Sequence, residues 1–248
     1  MSGWLRSILS VGAVFWPLVA MADSAPTPTS SPTVLELFTS QGCSSCPAAD
    51  RLLGDYAVRG DTIALSFHVD YWDYIGWKDT FATKSSTGRQ RGYGQSLSQR
   101  HLYTPEIVVA GASHTNGSDR AGIDKLIGEA RAANRARVKV ELTVSDSAVV
   151  AALSSPDPAS AEVWLFEIDR RHDVEVRRGE NSGKVLSYHN VVREIRRLGV
   201  WDGAPRNFSS DLKAAREAGR DGIVVVVQGS GQGAVLGAAQ VWLTKKGS

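Results

Sequence analysis

Cys43-Ser44-Ser45-Cys46 holds the only two cysteines of the chain. That spacing lets the two sulfurs close one disulfide or supply one corner of a metal site. The flanking residues decide where the motif sits. VLELFT, over 34–39, is a short apolar run with a β-branched start and reads as a buried strand. Beyond the motif Leu52, Leu53, Tyr56 and Ala57 recur at helical spacing, and Gly60 ends the pattern. Cys43 thus stands where a strand gives way to a helix. Pro47 suits the first turn there, because the N–H it lacks would bond nothing within the helix. Free N–H groups and the positive end of the helix dipole stabilise a thiolate at such a terminus, lowering a free thiol pKa of about 8.5 by one to several units. In this chemistry Cys43 attacks and Cys46, one turn in, resolves the mixed disulfide.

Two other uses of the pair remain open. A structural disulfide over so short a loop removes little unfolded-chain entropy and is a poor staple. Structural zinc needs four ligands, and the chain has no second CxxC and no HxxxH; Cys43, Cys46 and His68 would still make an open, copper-like site.

The elements that must position this motif occupy a chain of 248 residues, 42% hydrophobic and 22% charged, which is an ordinary globular balance. With 28 basic and 26 acidic residues the net charge is +2, so no global field points to nucleic acid or an anionic membrane. Residues 1–22 read as a secretory signal: Arg6 is the only early charge, 8–19 is apolar, and Ala20-Met21-Ala22 fits a cleavage site. The apolar run is shorter than the roughly 20 residues a membrane span requires and contains Pro17, so no span is expected after cleavage. A secreted or periplasmic product follows, in a compartment where a disulfide persists. DSAPTPTSSPT, over 23–33, has the composition of a flexible linker.

From 34 onward the order is strand, CxxC, helix and a second strand at 62–69 (TIALSFHV), a right-handed βαβ unit. The aromatic-rich stretch 70–100 is too long for an ordinary connection and reads as an inserted, mostly helical segment. A third strand follows at 106–110, a turn or hairpin at 113–117, and a helix at 120–134 capped by Ser118 or Asp119. After Arg135 the period changes. Val138, Val140, Leu142 and Val144 alternate with polar residues, and further runs at 148–153, 163–168, 174–178, 185–192, 223–228 and 234–243 suggest a sandwich-like β domain with one helix at 211–218. The division expected is 34–136 and 137–248. His68 and Asp70 end the second strand, at the edge where open α/β sheets bind ligands. Trp72 belongs to an aromatic group that packs the insertion or lines a groove, and His101 and Tyr103 lead into Thr104 and Pro105. In the β half, 178–183 (RGENSG) and Tyr188-His189-Asn190 read as hairpin chemistry, and Arg193, Arg196 and Arg197 as a solvated face.

Strand, CxxC, helix, strand, Thr-Pro, strand, helix resembles the thioredoxin fold. Several blocks are more specific: VLELFTSQGCSSCPAAD, SFHVDYWDYIGWKD, the RQxxY stretch at 89–93, YTPEIVVAG and RRGENSGKVLSYHNVVREIRRLG. Together they resemble the DUF1223 family of secreted bacterial proteins. The resemblance implies an α/β thioredoxin-like domain followed by a β-rich, sandwich-like domain. It places Cys43 and Cys46 on the redox pair and Thr104 and Pro105 on a cis-proline loop beside the sulfurs, with the Thr104 backbone free to pair with an extended substrate. It makes Glu36, one residue farther from the first cysteine than in the common pattern, the buried acid that accepts the Cys46 proton. Gly42 stands where thioredoxin carries a tryptophan, leaving the sulfur face more open. Gly42, Ser44, Ser45, His68, Asp70, Trp72, His101 and Tyr103 form the expected substrate surface. No cofactor and no nucleic acid are expected. The implied activity is exported thiol-disulfide exchange with envelope proteins, small thiols or a redox partner; the alternative is an envelope protein that binds a metal or a partner through a non-catalytic CxxC. Ser44-Ser45 tunes the potential without fixing the direction of exchange.

Overall fold

The computed structural model describes Met1 and residues 31–133, 135, 137–157 and 160–244. The expected signal segment, apart from Met1, and residues 23–30 of the linker lie outside the described residues. No helix among the described residues is long and apolar enough to cross a membrane.

Strand β1 (Thr33–Thr39) is buried along its whole length, helix α1 (Pro47–Ala57) follows the CxxC, and β2 (Thr62–His68) returns parallel to β1 with Thr33 opposite Thr62 and Thr39 opposite His68. Burial on both faces explains the unbroken apolar runs of these strands. The expected insertion holds a 3-10 turn (Asp73–Ile75) and helix α2 (Lys84–Ser96), whose cap, Thr83, accepts a hydrogen bond from Ser86 N. Strand β3 (Glu106–Val109) pairs antiparallel with β1 and forms a hairpin with β4 (Ser113–Asn116); α3 (Arg120–Ala132) is capped by Asp119 through Gly122 N. Leu35 and Leu37 of β1 meet Leu53, Tyr56, Ile123 and Ile127 of α1 and α3. Alternation along the strand sends Glu36 and Phe38 to the opposite face, where Phe38 packs with Phe67 and with Tyr93 of α2.

The remaining strands are β5 (Lys139–Val144), β6 (Ala148–Ser154), β7 (Ala161–Glu175), β8 (Val185–Trp201), β9 (Arg206–Asp211), β10 (Gly222–Gly229) and β11 (Val235–Trp242), with a short helix α4 (Lys213–Glu217). Four of them, β7, β8, β10 and β11, join the strands of the first half. One eight-stranded mixed sheet runs β11-β10-β7-β8-β2-β1-β3-β4, joined across the halves where Ser66 of β2 pairs with Val191 of β8. The expected boundary at 136/137 is therefore not a sheet boundary. A sandwich exists locally: the three-stranded sheet β5-β6-β9 packs Val149, Ala151, Leu153 and Phe208 against Val163, Leu165, Val225 and Val227. The reverse side of β7 and β10, through Phe166, Ile168, Val224 and Val226, joins the core of Phe38, Phe67 and Tyr93. Burial on both sides is why IVVVV in β10 is continuous rather than alternating.

Candidate functional site: a covered disulfide at the β1–α1 junction

Thr39 ends β1, and the backbone turns at once: Gly42 N donates to Ser40 Oγ at 3.1 Å and Cys43 N to Ser40 O at 3.1 Å. Cys46 is the N-cap of α1 and Pro47 opens the helix. The sulfurs of Cys43 and Cys46 are joined, with Cα atoms 5.4 Å apart. Ser45 Oγ lies 3.4 Å from Cys43 Sγ, placing a hydroxyl beside that sulfur. Ser44 and Ser45 are exposed, but Cys43 is only 1% exposed and Cys46 0%. The open face expected from Gly42 is thus absent. A Cβ on Gly42 would sit 3.2 Å from Ile75 Cδ1 and 3.3 Å from the Trp72 carbonyl, so the missing side chain is replaced by the 3-10 turn.

Across the motif, the Thr104–Pro105 peptide is cis, as the resemblance implied. Trp72 ties this loop to the CxxC side: its indole N–H donates to Thr104 Oγ1 at 2.8 Å while its carbonyl rests on Gly42. Gln90 of α2 holds the other flank, donating to Tyr103 O and to Glu106 Oε2, each at 2.8 Å, and accepting from Tyr71 OH. The Tyr103 hydroxyl lies 3.0 Å from His114 Nδ1, and His101 is exposed. Gly117 locks the arrangement. Its N–H donates to Pro105 O, and a Cβ there would sit 2.6 Å from Leu37 Cδ1, 3.0 Å from Ala49 Cβ and 3.2 Å from Pro105 Cβ. Strand β1, the first turn of α1 and the cis-proline loop converge on that one hydrogen atom. Gly117→Ala is expected to cost about 1–3 kcal/mol by overpacking, read as a lowered urea midpoint at unchanged m-value.

Three sequence expectations change. Glu36 does not serve Cys46: it faces away from α1, 1% exposed, with Arg89 Nε and Nη2 donating to it at 2.5 and 2.8 Å and Tyr93 OH at 2.5 Å. This carboxylate is the buried partner of an arginine, which explains the RQxxY spacing: Arg89 and Tyr93 reach Glu36 from one helix face while Gln90 reaches the cis-proline loop. His68 is not part of a substrate surface either, being 0% exposed with Nδ1 2.7 Å from Asp79 Oδ2. Among the described residues no group of three His, Cys, Asp or Glu is placed to hold a metal ion. Asp70 is spent on α2, accepting from Thr87 Oγ1 at 2.6 Å.

An acid that the sequence reading passed over lies behind the disulfide instead. Asp50 is one helical turn past Cys46, its N–H bonded to Cys46 O at 3.0 Å, and it is 3% exposed. Both of its carboxylate oxygens are buried without a hydrogen-bond partner among the described residues, as are His68 Nε2, Thr39 Oγ1 and Tyr188 OH. Burial raises the Asp50 pKa from 3.8 to about 7, against the pull of His68 and Thr39. Burial likewise pushes Tyr188 far up, helped by the charges of Asp50 and Asp79, which places all of these groups in one electrostatic neighbourhood. Asp79 stays ionised: burial would raise it, but His68 and the N–H groups of Gln41 and Phe81 hold it below its ordinary value. A narrow cleft of about 70 Å³ lined by Pro47, Asp50, Arg51, Val185, Leu186 and Ser187 leads to Asp50 from the surface. The available signal was positional: Asp50, Leu53, Gly54 and Ala57 share the helix face that turns inward.

A CxxC disulfide at a strand-to-helix turn, set in a large mixed sheet with a second small sheet stacked on it, defines an α/β protein organised around one sulfur pair. The chain belongs to the family described as "Protein of unknown function (DUF1223)", whose model matches residues 34–228. It is similar to the crystal structure of protein AGR_C_4864 from Agrobacterium tumefaciens, with a TM-score of 0.79 and 30% identity over 90% of this chain and 99% of that one. HBP35 of Porphyromonas gingivalis shares the fold at a TM-score of 0.56 and 14% identity, over 86% of this chain and 76% of that chain. No curated protein matches the chain in sequence.

Proposed function

We propose that the protein is an exported thiol-disulfide oxidoreductase in which Cys43 and Cys46 cycle between dithiol and disulfide. The observation that carries this reading is the Cys43–Cys46 disulfide at the N-terminus of α1, with a buried acid one turn behind it. The arrangement of the first half supports it. Strands in the order β2-β1-β3-β4, β1 parallel to β2 and antiparallel to β3, with the cis-proline loop leading into β3, support a thioredoxin-like reading of this half. Strands β8, β7, β10 and β11 of the second half extend that sheet.

In the reduced state the Cys43 thiolate attacks a partner disulfide. One partner sulfur departs with the bonding electron pair and takes up a proton. Cys46 gives its proton to Asp50 and attacks Cys43 Sγ; the protein disulfide re-forms, and the second partner sulfur leaves as thiolate. The partner is reduced by two electrons and the protein is oxidised by two. The reverse sequence oxidises a partner dithiol. Asp50 suits this role because an acid titrating near 7 both accepts and returns a proton close to neutral pH.

Titrating the chain against glutathione redox buffers, with alkylation and mass readout, tests the reading with and without Cu(I) or Zn(II). Reversible two-electron cycling without metal, together with insulin reduction, is the expected result. Stoichiometric metal capture that blocks alkylation, with no insulin reduction, overturns it in favour of a metal-binding protein.

A further inference from the structure

The turn between β7 and β8 reaches across the molecule to the disulfide. Gly179, at φ +75°, is the first bend of that turn, and its α-carbon face lies against the Ile75 carbonyl and Trp77 Cβ, where an added Cβ would meet both at 3.3 Å. Two residues on, Asn181 is 0% exposed. Its Nδ2 donates to Gln41 O at 3.0 Å and to Cys43 O at 2.9 Å, and its Oδ1 accepts from Lys184 Nζ at 2.9 Å. A single carboxamide from the second half therefore pins the backbone of the attacking cysteine. The turn closes on itself through Gly183 N to Val176 O at 2.8 Å. Hairpin chemistry requires the glycines but not this carboxamide, whose donated bonds both run to the CxxC loop.

We propose that Asn181 is the positioning residue that governs access to the redox pair, holding the hairpin turn over Cys43 until the turn lifts. Attack on Cys43 Sγ needs an approach in line with the S–S bond, which leaves its electron pair on Cys46 Sγ. Cys43 is 1% exposed, and on this proposal the line opens when the bonds of Asn181 to the Gln41 and Cys43 carbonyls break. Losing two hydrogen bonds of ordinary net strength shifts the open–closed balance by about tenfold to a hundredfold. The proposal deepens the redox reading and rests on it for its purpose, while its test does not depend on any partner.

The test is the second-order rate constant for reduction of the protein disulfide by dithiothreitol, followed by alkylation and mass. One dithiothreitol thiolate attacks, its second thiol resolves the mixed disulfide, and the protein gains two electrons and two protons. Asn181→Ala and Asn181→Asp are expected to react at least about tenfold faster than the unaltered chain. Ser182→Ala, altering an exposed neighbour whose hydroxyl bonds Arg177 O, is expected to keep the original rate. Melting temperatures separate a local opening from global loosening. Should both Asn181 variants fail to fold, Lys184→Met, which removes only the bond that orients the carboxamide, carries the reading through a several-fold acceleration. Rates within twofold of the unaltered chain in the folded variants overturn the proposal. Failure of reversible cycling in redox buffers would overturn the function and leave these kinetics standing.

Discussion

Arg89→Met is expected to cost about 3–5 kcal/mol of folding stability, the usual consequence of stranding one member of a buried ion pair. That is a large part of the roughly 5–15 kcal/mol that holds a typical domain together. The guanidinium is 3% exposed and contacts three elements at once: Glu36 of β1, Tyr93 of its own helix at 3.1 Å, and Gln228 of β10 at 3.0 Å. Its carbon lies 4.9 Å from the centre of the Phe166 ring and 5.6 Å from that of Phe67. Burial alone would lower the arginine pKa, but Glu36 and Tyr93 more than offset it and keep the group charged. Without Arg89 the Glu36 carboxyl is left in an apolar core without its partner. Adding Glu36→Leu to Arg89→Met removes the stranded charge and should recover part of the loss. Urea unfolding of the single and double variants decides the matter; a single variant within about 1 kcal/mol of the parent would remove the pair from any structural role. Because β1 runs directly into the CxxC and β10 belongs to the second half, this pair also fixes where the disulfide stands relative to the hairpin that covers it.

Much of the first half was legible because its signals are local. A β-branched run, a proline at the first helical position, an Asx cap at Asp119 and a Thr-Pro step each constrain a few neighbouring residues, and β1, α1, β2, β3 and α3 stand close to where those signals put them. What escaped was set by distant contacts. Strand β9 carries only Phe208 and Ser210 inward, so RNFSSD has no apolar pattern to read. Strand β7 was split in two because a register shift at Glu167/Ile168 and the charged stretch beyond it interrupt the period, although pairing with β8 continues to Glu175. The alternation after Arg135 was correctly strand-like, yet strand patterning says nothing about which neighbour a strand takes, and β8 takes β2. At the site, position relative to the cysteines favoured Glu36, whereas the face of the strand decided otherwise. Asn181 was visible as an unusually polar turn, but the two carbonyls that give it purpose lie about 140 residues upstream.

Asp50→Asn is expected to stabilise the oxidised protein above pH 7 and to slow its chemistry. The folded-state pKa of Asp50 is raised from 3.8 to about 7 by burial. An acid shifted upward binds more protons in the native than in the unfolded state between those values, so it lowers stability progressively as pH rises from about 4 to 7, and by a constant amount beyond. Three pKa units correspond to about 4 kcal/mol. Asparagine has nearly the same shape and no charge to bury, so the variant should lack that slope and gain on the order of 2–4 kcal/mol at pH 8, with little difference at pH 4. On the proposed function this buried carboxyl is the base that takes the Cys46 proton. Re-oxidation of the reduced variant by glutathione disulfide should accordingly fall by about a hundredfold near pH 7, the scale of a lost general base, and its rise with pH should follow the Cys46 thiol alone rather than a group near 7. Stability profiles and stopped alkylation kinetics on the same two proteins give both readouts. A variant with the parent's pH slope and the parent's rate would show that Asp50 neither carries the buried charge nor moves the proton. A variant with the slope removed but the rate intact would leave the charge and pass the proton to His68, the other buried group whose free nitrogen, Nε2, belongs to the same neighbourhood.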